Sequence, residues 1–183
     1  PFNLREVCET TIAYIKDEEI NVADTLLAPD FPIGGRLLYN RSDIEKIYET
    51  GRGSFKVRGV WEYDKSQNCV DITEIPPSTT VEAIIEKIIE LVKLKKVTEI
   101  NDVRDETDLK GLKITIDLKR GTDYEKLMQK LFKMTPLQDS FSCNFNILVG
   151  GAPKVMGVKE ILTEWTAFRV DCVKRRTFFE LTK

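Results

Sequence analysis

Five tyrosines, a knot of acidic residues and a run of cations are the groups in this sequence that could do chemistry. A tyrosine becomes a nucleophile when nearby cations stabilise its phenolate or the phosphate it attacks. Tyr14, Tyr39, Tyr48, Tyr63 and Tyr124 follow Ala13, Leu38, Ile47, Glu62 and Asp123, and none stands in a dense basic cluster. Packing, with the hydroxyl left at the surface, is the ordinary use of such residues. Asp102, Asp105, Glu106 and Asp108 make the densest acidic cluster, and oxygen donors of this kind suit a hard cation such as magnesium. Thr107 stands where a calcium loop needs glycine. Arg104 and Lys110 lie in the same stretch, which favours a solvated hairpin laced with ion pairs. A metal-dependent enzyme using Asp102 to Asp108 stays open as an alternative. Gly51-Arg52-Gly53-Ser54 lacks the remaining glycines and the lysine of a phosphate loop.

The cations are unevenly placed. Between positions 36 and 58 stand Arg36, Arg41, Lys46, Arg52, Lys56 and Arg58, against Asp43, Glu45 and Glu49. The first thirty residues carry only Arg5 and Lys16 against seven carboxylates, so the chain is polarised although its net charge is −2. Lys56 and Arg58 share one face of a predicted strand next to Arg52, a row that could follow a phosphate backbone without reading bases. A solvated outer face is the competing reading of the same row.

The residues that are missing narrow the chemistry further. There is no histidine, which removes Ser-His-Asp and Cys-His arrangements, histidine-bearing zinc sites and the commonest general base. Cys8, Cys69, Cys143 and Cys172 form no C-x-x-C pair, and such spacing suits small buried side chains in a reducing cytosol. With 183 residues and 42% hydrophobic content the chain is long enough for one large domain or two small ones, and global disorder is excluded. No apolar run approaches the ~20 residues of a membrane span. The first residue is Pro1, which suggests a piece cut from something longer.

The elements that must position these groups are mixed α and β. Leu4, Val7, Cys8, Ile12 and Ile15 form a helical stripe over 4–15 that Asn3 can cap, and Asn21–Leu27 reads as a second short helix. Pro29-Asp30-Phe31-Pro32-Ile33-Gly34-Gly35 is a loop. Ser42–Glu49 is helical and ends at Gly51, where a left-handed residue is wanted. The period changes to two at Phe55, giving one strand over 54–63, a turn at 64–68 and a returning strand over Cys69–Ile75. Thr79 with Glu82 predicts a capping box for a helix whose wide apolar stripe (Val81 to Val92) needs a sheet to cover it. Strands follow at Val97–Val103 and Leu112–Leu118, a helix at Asp123–Met134, and strands at Asn144–Val149 and Lys154–Met156 around a Gly150–Pro153 turn. A long helix starts at Val158; its apolar residues on several faces near Phe178-Phe179 suggest that it continues beyond Lys183. The expected fold class is α+β, a mostly antiparallel sheet with helices packed on one face and a split β-α-β core at about 69–134.

Several collinear motifs then carry a resemblance. Pro29-Asp30-Phe31-Pro32-x-Gly34-Gly35, Tyr48-x-Thr50-Gly51-Arg52-Gly53-Ser54 and Thr73-Glu74-Ile75-Pro76 come first. They are followed by Ile84-x-Glu86-Lys87-Ile88-x-Glu90-Leu91-Val92, Arg104-Asp105-Glu106-x-Asp108 and Leu118-Lys119-Arg120-Gly121. Leu137-Gln138-x-Ser140-Phe141, Lys159-Glu160-Ile161-Leu162 and Arg175-Arg176-Thr177-x-Phe179-Glu180-Leu181 complete the set. Over essentially all 183 residues the sequence resembles the A subunit of bacterial DNA gyrase and topoisomerase IV, the type IIA topoisomerases.

That resemblance implies a place in the parent after the winged-helix domain. The family's nucleophilic tyrosine follows an arginine, and no Arg-Tyr pair occurs here; the isoleucine that wedges between base pairs also belongs upstream. What remains resembles the tower, or shoulder, domain over 1–156, with 157–183 beginning the coiled coil toward the exit gate. The implied parent is a cytoplasmic, ATP-dependent isomerase that passes one duplex through a break in another, and this piece alone is expected to be inactive. Magnesium and ATP are implied mainly on the partner B subunit, with no cofactor and no catalytic or metal residue expected here. The implied partners are duplex DNA held through its backbone, a second copy of the parent and the B subunit. No membrane is implied, and the isolated piece is expected to be a monomer. The candidate backbone contacts are Arg36, Arg41, Arg52, Lys56 and Arg58. The family often has Tyr-Gln-Val-Asn-Lys after Glu-Ile-Pro, whereas this chain reads Pro77-Ser78-Thr79-Thr80-Val81, a departure pointing to a diverged subgroup nearer topoisomerase IV. The runner-up reading is a free-standing α+β module binding RNA or a protein, which needs aromatics such as Phe55, Trp61 and Tyr63 exposed on its sheet.

Overall fold

Capping chemistry sets where the helices begin. The Asn3 side chain accepts the Arg5 and Glu6 amides and opens α1 (Leu4–Lys16). Asn40 does the same for α2 (Arg41–Thr50), and Asp123 for α4 (Tyr124–Met134). Helix α3 (Val81–Lys93) is capped by Thr80, one residue later than the sequence predicts. The Thr79 amide donates to the Pro76 carbonyl in the preceding turn, and the Thr80 hydroxyl accepts the Ala83 amide at 3.3 Å. The last helix, α5, runs Val158–Thr182. The predicted helix at 21–27 is a single 3-10 turn, Val22–Asp24.

The computed structural model describes residues 1–183 and is α+β, with antiparallel sheets and a long C-terminal helix. The strands are β1 (Arg36–Leu37), β2 (Arg52–Arg58), β3 (Val60–Asp64), β4 (Cys69–Glu74), β5 (Ile100–Asp105), β6 (Ile114–Leu118), β7 (Gln138–Asn144), β8 (Asn146–Val149) and β9 (Ala152–Val155). No helix is long and apolar enough to cross a membrane. The chain divides into two compact units, one of residues 1–30, 40–54 and 142–183 and the other of 31–39 and 55–141.

The second unit holds the sheet β3-β4-β6-β5, antiparallel at every step. Strands β4 and β5 are both antiparallel to β6 between them, so β4-α3-β5 is a split β-α-β unit, as the order of elements predicts. Val70, Ile72, Ile114, Ile116 and Leu118 point to one face and are sealed by Ile84, Ile88 and Leu91 of α3 and Leu127, Met128, Leu131 and Phe132 of α4. Each fully buried side chain of this kind contributes about 1.5–3 kcal/mol.

The predicted single strand over 54–63 is two strands in different sheets. Period-two alternation survives the change, so pattern alone does not reveal it. Gly59 is the joint: its N–H donates to the Leu137 carbonyl at 2.8 Å, and a Cβ there would lie 2.6 Å from Leu137 Cδ1. Strand β7 is an addition to the elements read from the sequence, and the second glycine hairpin is tighter than expected, with Val149 opposite Ala152.

The outer face of the four-stranded sheet carries the acidic cluster. Arg104 donates to Asp117, to Glu106 at 3.2 Å and to Asp102 at 3.4 Å, while Lys113 meets Glu106 at 3.1 Å and Asp71 at 3.7 Å. Asp105 and Asp108 accept amides of their own turn, from Thr107 and Lys110. The predicted ion-paired hairpin is therefore what forms. Lys113, Thr115 and Arg104 together hold the Glu106 carboxyl below the usual carboxylate range, and Lys130 does so for Glu99. Since the folded pKa is depressed, this stabilisation is complete above the unfolded glutamate value of about 4.3 and is lost as pH falls through the folded value. The melting temperature of Glu106→Gln should therefore fall less than that of the wild type between about pH 5 and pH 3. Parallel acid limbs would show that the carboxylate is not held as described.

In the first unit the Tyr14 and Thr163 hydroxyls share a hydrogen bond of 2.5 Å, and Phe2 lies edge-on to Tyr48 and Phe145, each at 6.0 Å. Helix α1 buries Thr10 and Tyr14, leaving Leu4, Cys8, Ile12 and Ile15 exposed, so the apolar stripe read from the sequence is not the packed face. Cys69 and Cys143 are buried, but Cys8 is exposed and Cys172 half-exposed, a correction to the expectation that all four pack inside. Along α5 only Val158 and Leu162 are buried, while Trp165, Phe168, Phe178 and Phe179 are exposed.

Candidate nucleic-acid interface

The basic row is built on β1 and β2. Phe55 and Val57 are buried, and the stacked pair of Phe55 with Phe141 at 5.5 Å, joined by Phe31 4.9 Å from Phe141, anchors that side of the strand. Alternation then turns Lys56 and Arg58 to the other face. Arg36 lies directly across from Arg58 in the antiparallel register, so Arg36, Lys56 and Arg58 share a face. Arg36 and Lys56 are exposed. Arg58 is half-buried: its guanidinium lies 4.8 Å from the centroid of the Phe132 ring, and its Nε donates to Gln138 Oε1.

Arg52 and Arg41 belong to the first unit. Arg52 is exposed at the start of β2. Arg41 is taken up by Glu45 at 2.8 Å and by Asp24, which raise its pKa further. Asp24 comes from the acidic first thirty residues, so folding neutralises one member of the basic run with a residue that composition had set apart from it. Arg36, Arg52, Lys56 and Arg58 have no such carboxylate partner.

Other chemistry fares less well. Tyr14 and Tyr48 are buried, and Tyr63 stacks on Tyr124 at 4.0 Å while donating its hydroxyl to Asn68. Trp61 and Tyr63 lie against the core and Phe55 is buried, so the sheet offers no exposed aromatic platform for bases. Asp64, Cys69 and Asp71 bring ligand atoms within 4.8 Å of one another. Both carboxylates are already engaged: Asp64 accepts the Ser66 amide and hydroxyl, and Asp71 accepts the Thr115 hydroxyl at 2.9 Å.

The motifs that carry the resemblance also have local reasons. Gly51 caps α2 in the left-handed region, and the Glu74 carboxylate accepts the Gly35 amide at 2.6 Å, tying Thr73-Glu74-Ile75-Pro76 to the Gly34-Gly35 loop. The family of the DNA gyrase/topoisomerase IV A subunit matches residues 1–183. The chain is 39% identical over 189 residues to the DNA gyrase A subunit of Ureaplasma parvum, aligning all of itself with 22% of that protein. It is 39% identical over 193 residues to the DNA gyrase A subunit of Synechocystis, again all of this chain and 22% of that one. With the chloroplastic/mitochondrial DNA gyrase A subunit of Arabidopsis thaliana it shares 40% over 190 residues, all of this chain and 20% of the relative. The chain thus spans about a fifth of the length of the curated relatives it matches. All three carry the gyrase name, whereas Pro77–Val81 pointed toward topoisomerase IV. With every residue matched and identities near 40%, the chain belongs to the family of DNA gyrase and topoisomerase IV A subunits.

Proposed function

We propose that this chain is the tower region of the DNA breakage-reunion subunit of a bacterial type IIA topoisomerase, and that it braces the bent duplex while neighbouring segments make and break bonds. Residues 1–156 form the tower in this reading, and α5 begins the coiled-coil arm. The parent is a cytoplasmic ATP-dependent isomerase whose partners are duplex DNA, a second copy of itself and the B subunit. No residue of this chain is assigned a catalytic or metal-binding role, and magnesium and ATP act mainly on the B subunit.

The observation that carries the reading is the face of β1 and β2 with Arg36, Lys56 and Arg58 side by side, none paired with a carboxylate. Unpaired cations on a rigid strand contact phosphates without reading sequence. Bending a site of this kind costs on the order of 1–10 kcal/mol, which phosphate contacts offset in part. Arg52 is a further contact, carried by the first unit. Arg41, already committed to Glu45 and Asp24, is the weakest member of the set.

Replacing Arg36, Lys56 and Arg58 together by glutamine in the complete enzyme is expected to lower the salt slope of DNA binding by about 2.7 per copy of the chain on the duplex, at about 0.9 per phosphate. An unchanged slope with an intact melting temperature would reduce the row to solvated surface. The isolated chain should leave supercoiled plasmid unrelaxed, and relaxation by the pure chain would overturn the assignment of chemistry to other segments.

A further inference from the structure

Beside the basic face, in the same unit, lies a hollow of about 330 Å³ lined by Lys56, Phe132, Lys133, Gln138, Asp139 and Ser140. That volume holds roughly ten waters. Two of its walls are the groups that fix Arg58, since Phe132 underlies the guanidinium and Gln138 accepts its Nε. Lys133 sits in the last turn of α4, where its side chain is exposed and has no carboxylate partner. The one anion lining the hollow, Asp139, is already engaged: Oδ2 accepts the Ser78 hydroxyl at 2.6 Å and Oδ1 accepts the Ser140 amide at 2.8 Å. The Ser140 hydroxyl makes no hydrogen bond of its own.

The geometry points to this hollow as the seat of a single backbone phosphate of the duplex, with Lys133 as its second cation beside Lys56 and the Ser140 hydroxyl as a neutral donor. The inference rests on the reading of the β1–β2 face as a duplex contact and adds to it a residue 75 or more positions from the basic run. Lys56 and Lys133 outweigh Asp139, so the hollow is net positive. An anion is favoured over a cation, and a phosphodiester fits a pair of ammonium groups acting as point charges. Ser78 belongs to the divergent Pro77–Val81 segment, and its hydroxyl holds one oxygen of the Asp139 carboxylate in place.

The test is Lys133→Gln and Lys133→Arg in the complete enzyme, with binding of a duplex measured across a salt series. Lys133→Gln is expected to weaken binding severalfold at about 0.1 M salt and to lower the slope by less than about 0.9 per copy of the chain, because Lys56 still faces the same phosphate, while Lys133→Arg keeps both near wild type. A glutamine variant with unchanged slope overturns the phosphate seat, as does an arginine variant as weak as glutamine. Melting temperatures separate these results from loss of the helix-end charge, which would move stability and leave the slope alone. The Arg36, Lys56 and Arg58 variant reports independently on the wider reading. If its slope falls while that of Lys133→Gln does not, the seat fails and the braced face stands.

Discussion

Phe132→Ala is expected to lower the melting temperature of the protein by roughly 6–20 °C. Phe132 is 6% exposed and closes the core between α4 and the sheet, so truncation removes buried surface and leaves a void. A loss of this kind costs about 3–5 kcal/mol, and each kcal/mol moves a protein of this size by about 2–4 °C. The same ring underlies Arg58, and that contact adds about 0.5–1 kcal/mol at a half-exposed site. Phe132→Leu separates the two roles. It keeps most of the volume and should cost under about 1.5 kcal/mol, while Arg58 loses its aromatic support and DNA binding in the complete enzyme weakens. A fall of less than about 3 °C for the alanine variant, read by thermal denaturation, would mean that the ring does not close the core in the way described.

Gly51→Ala ranks second. Gly51 has φ +74°, donates its N–H to the Ile47 carbonyl at 2.8 Å and accepts the Phe145 amide at 2.8 Å. A Cβ there would stand against the Met156 carbonyl oxygen, far inside contact distance, so the substitution pays twice, once for the left-handed backbone and once for parting two main chains. The conformational part is about 1–2 kcal/mol, and with the displaced backbone the total is about 3 kcal/mol, or roughly 6–12 °C. Gly150 is the control, with φ +58° and open space where its Cβ would be. Gly150→Ala should lose only the conformational part. Equal losses at the two positions would show that the Met156 approach contributes nothing.

The position of Gly51 as a cap was readable because a left-handed helix end is a local property of the chain. The cap at Asn3 was readable for the same reason, as was the split β-α-β order over 69–134. The face that α1 packs was not. Thr10 and Tyr14 are inside because Thr25 and Thr163 meet their hydroxyls, the second of these 149 residues away, while the more apolar Leu4, Ile12 and Ile15 remain exposed. The break at Gly59 was hidden in the same manner, since residues on either side keep one alternation while the strand changes sheets.

For the basic row, the sequence alone established that the cations exist, that they concentrate between positions 36 and 58, and that Lys56 and Arg58 share a side of one strand. Tertiary structure decided which of them are free to act. It set Arg36 across from Arg58, closed Arg41 onto Asp24 and Glu45, and put Lys133 and Ser140 beside Lys56. The physical reason is the range of each force. Strand alternation and capping act within a few residues, whereas an arginine's pairing depends on whichever carboxylate the fold delivers within about 4 Å.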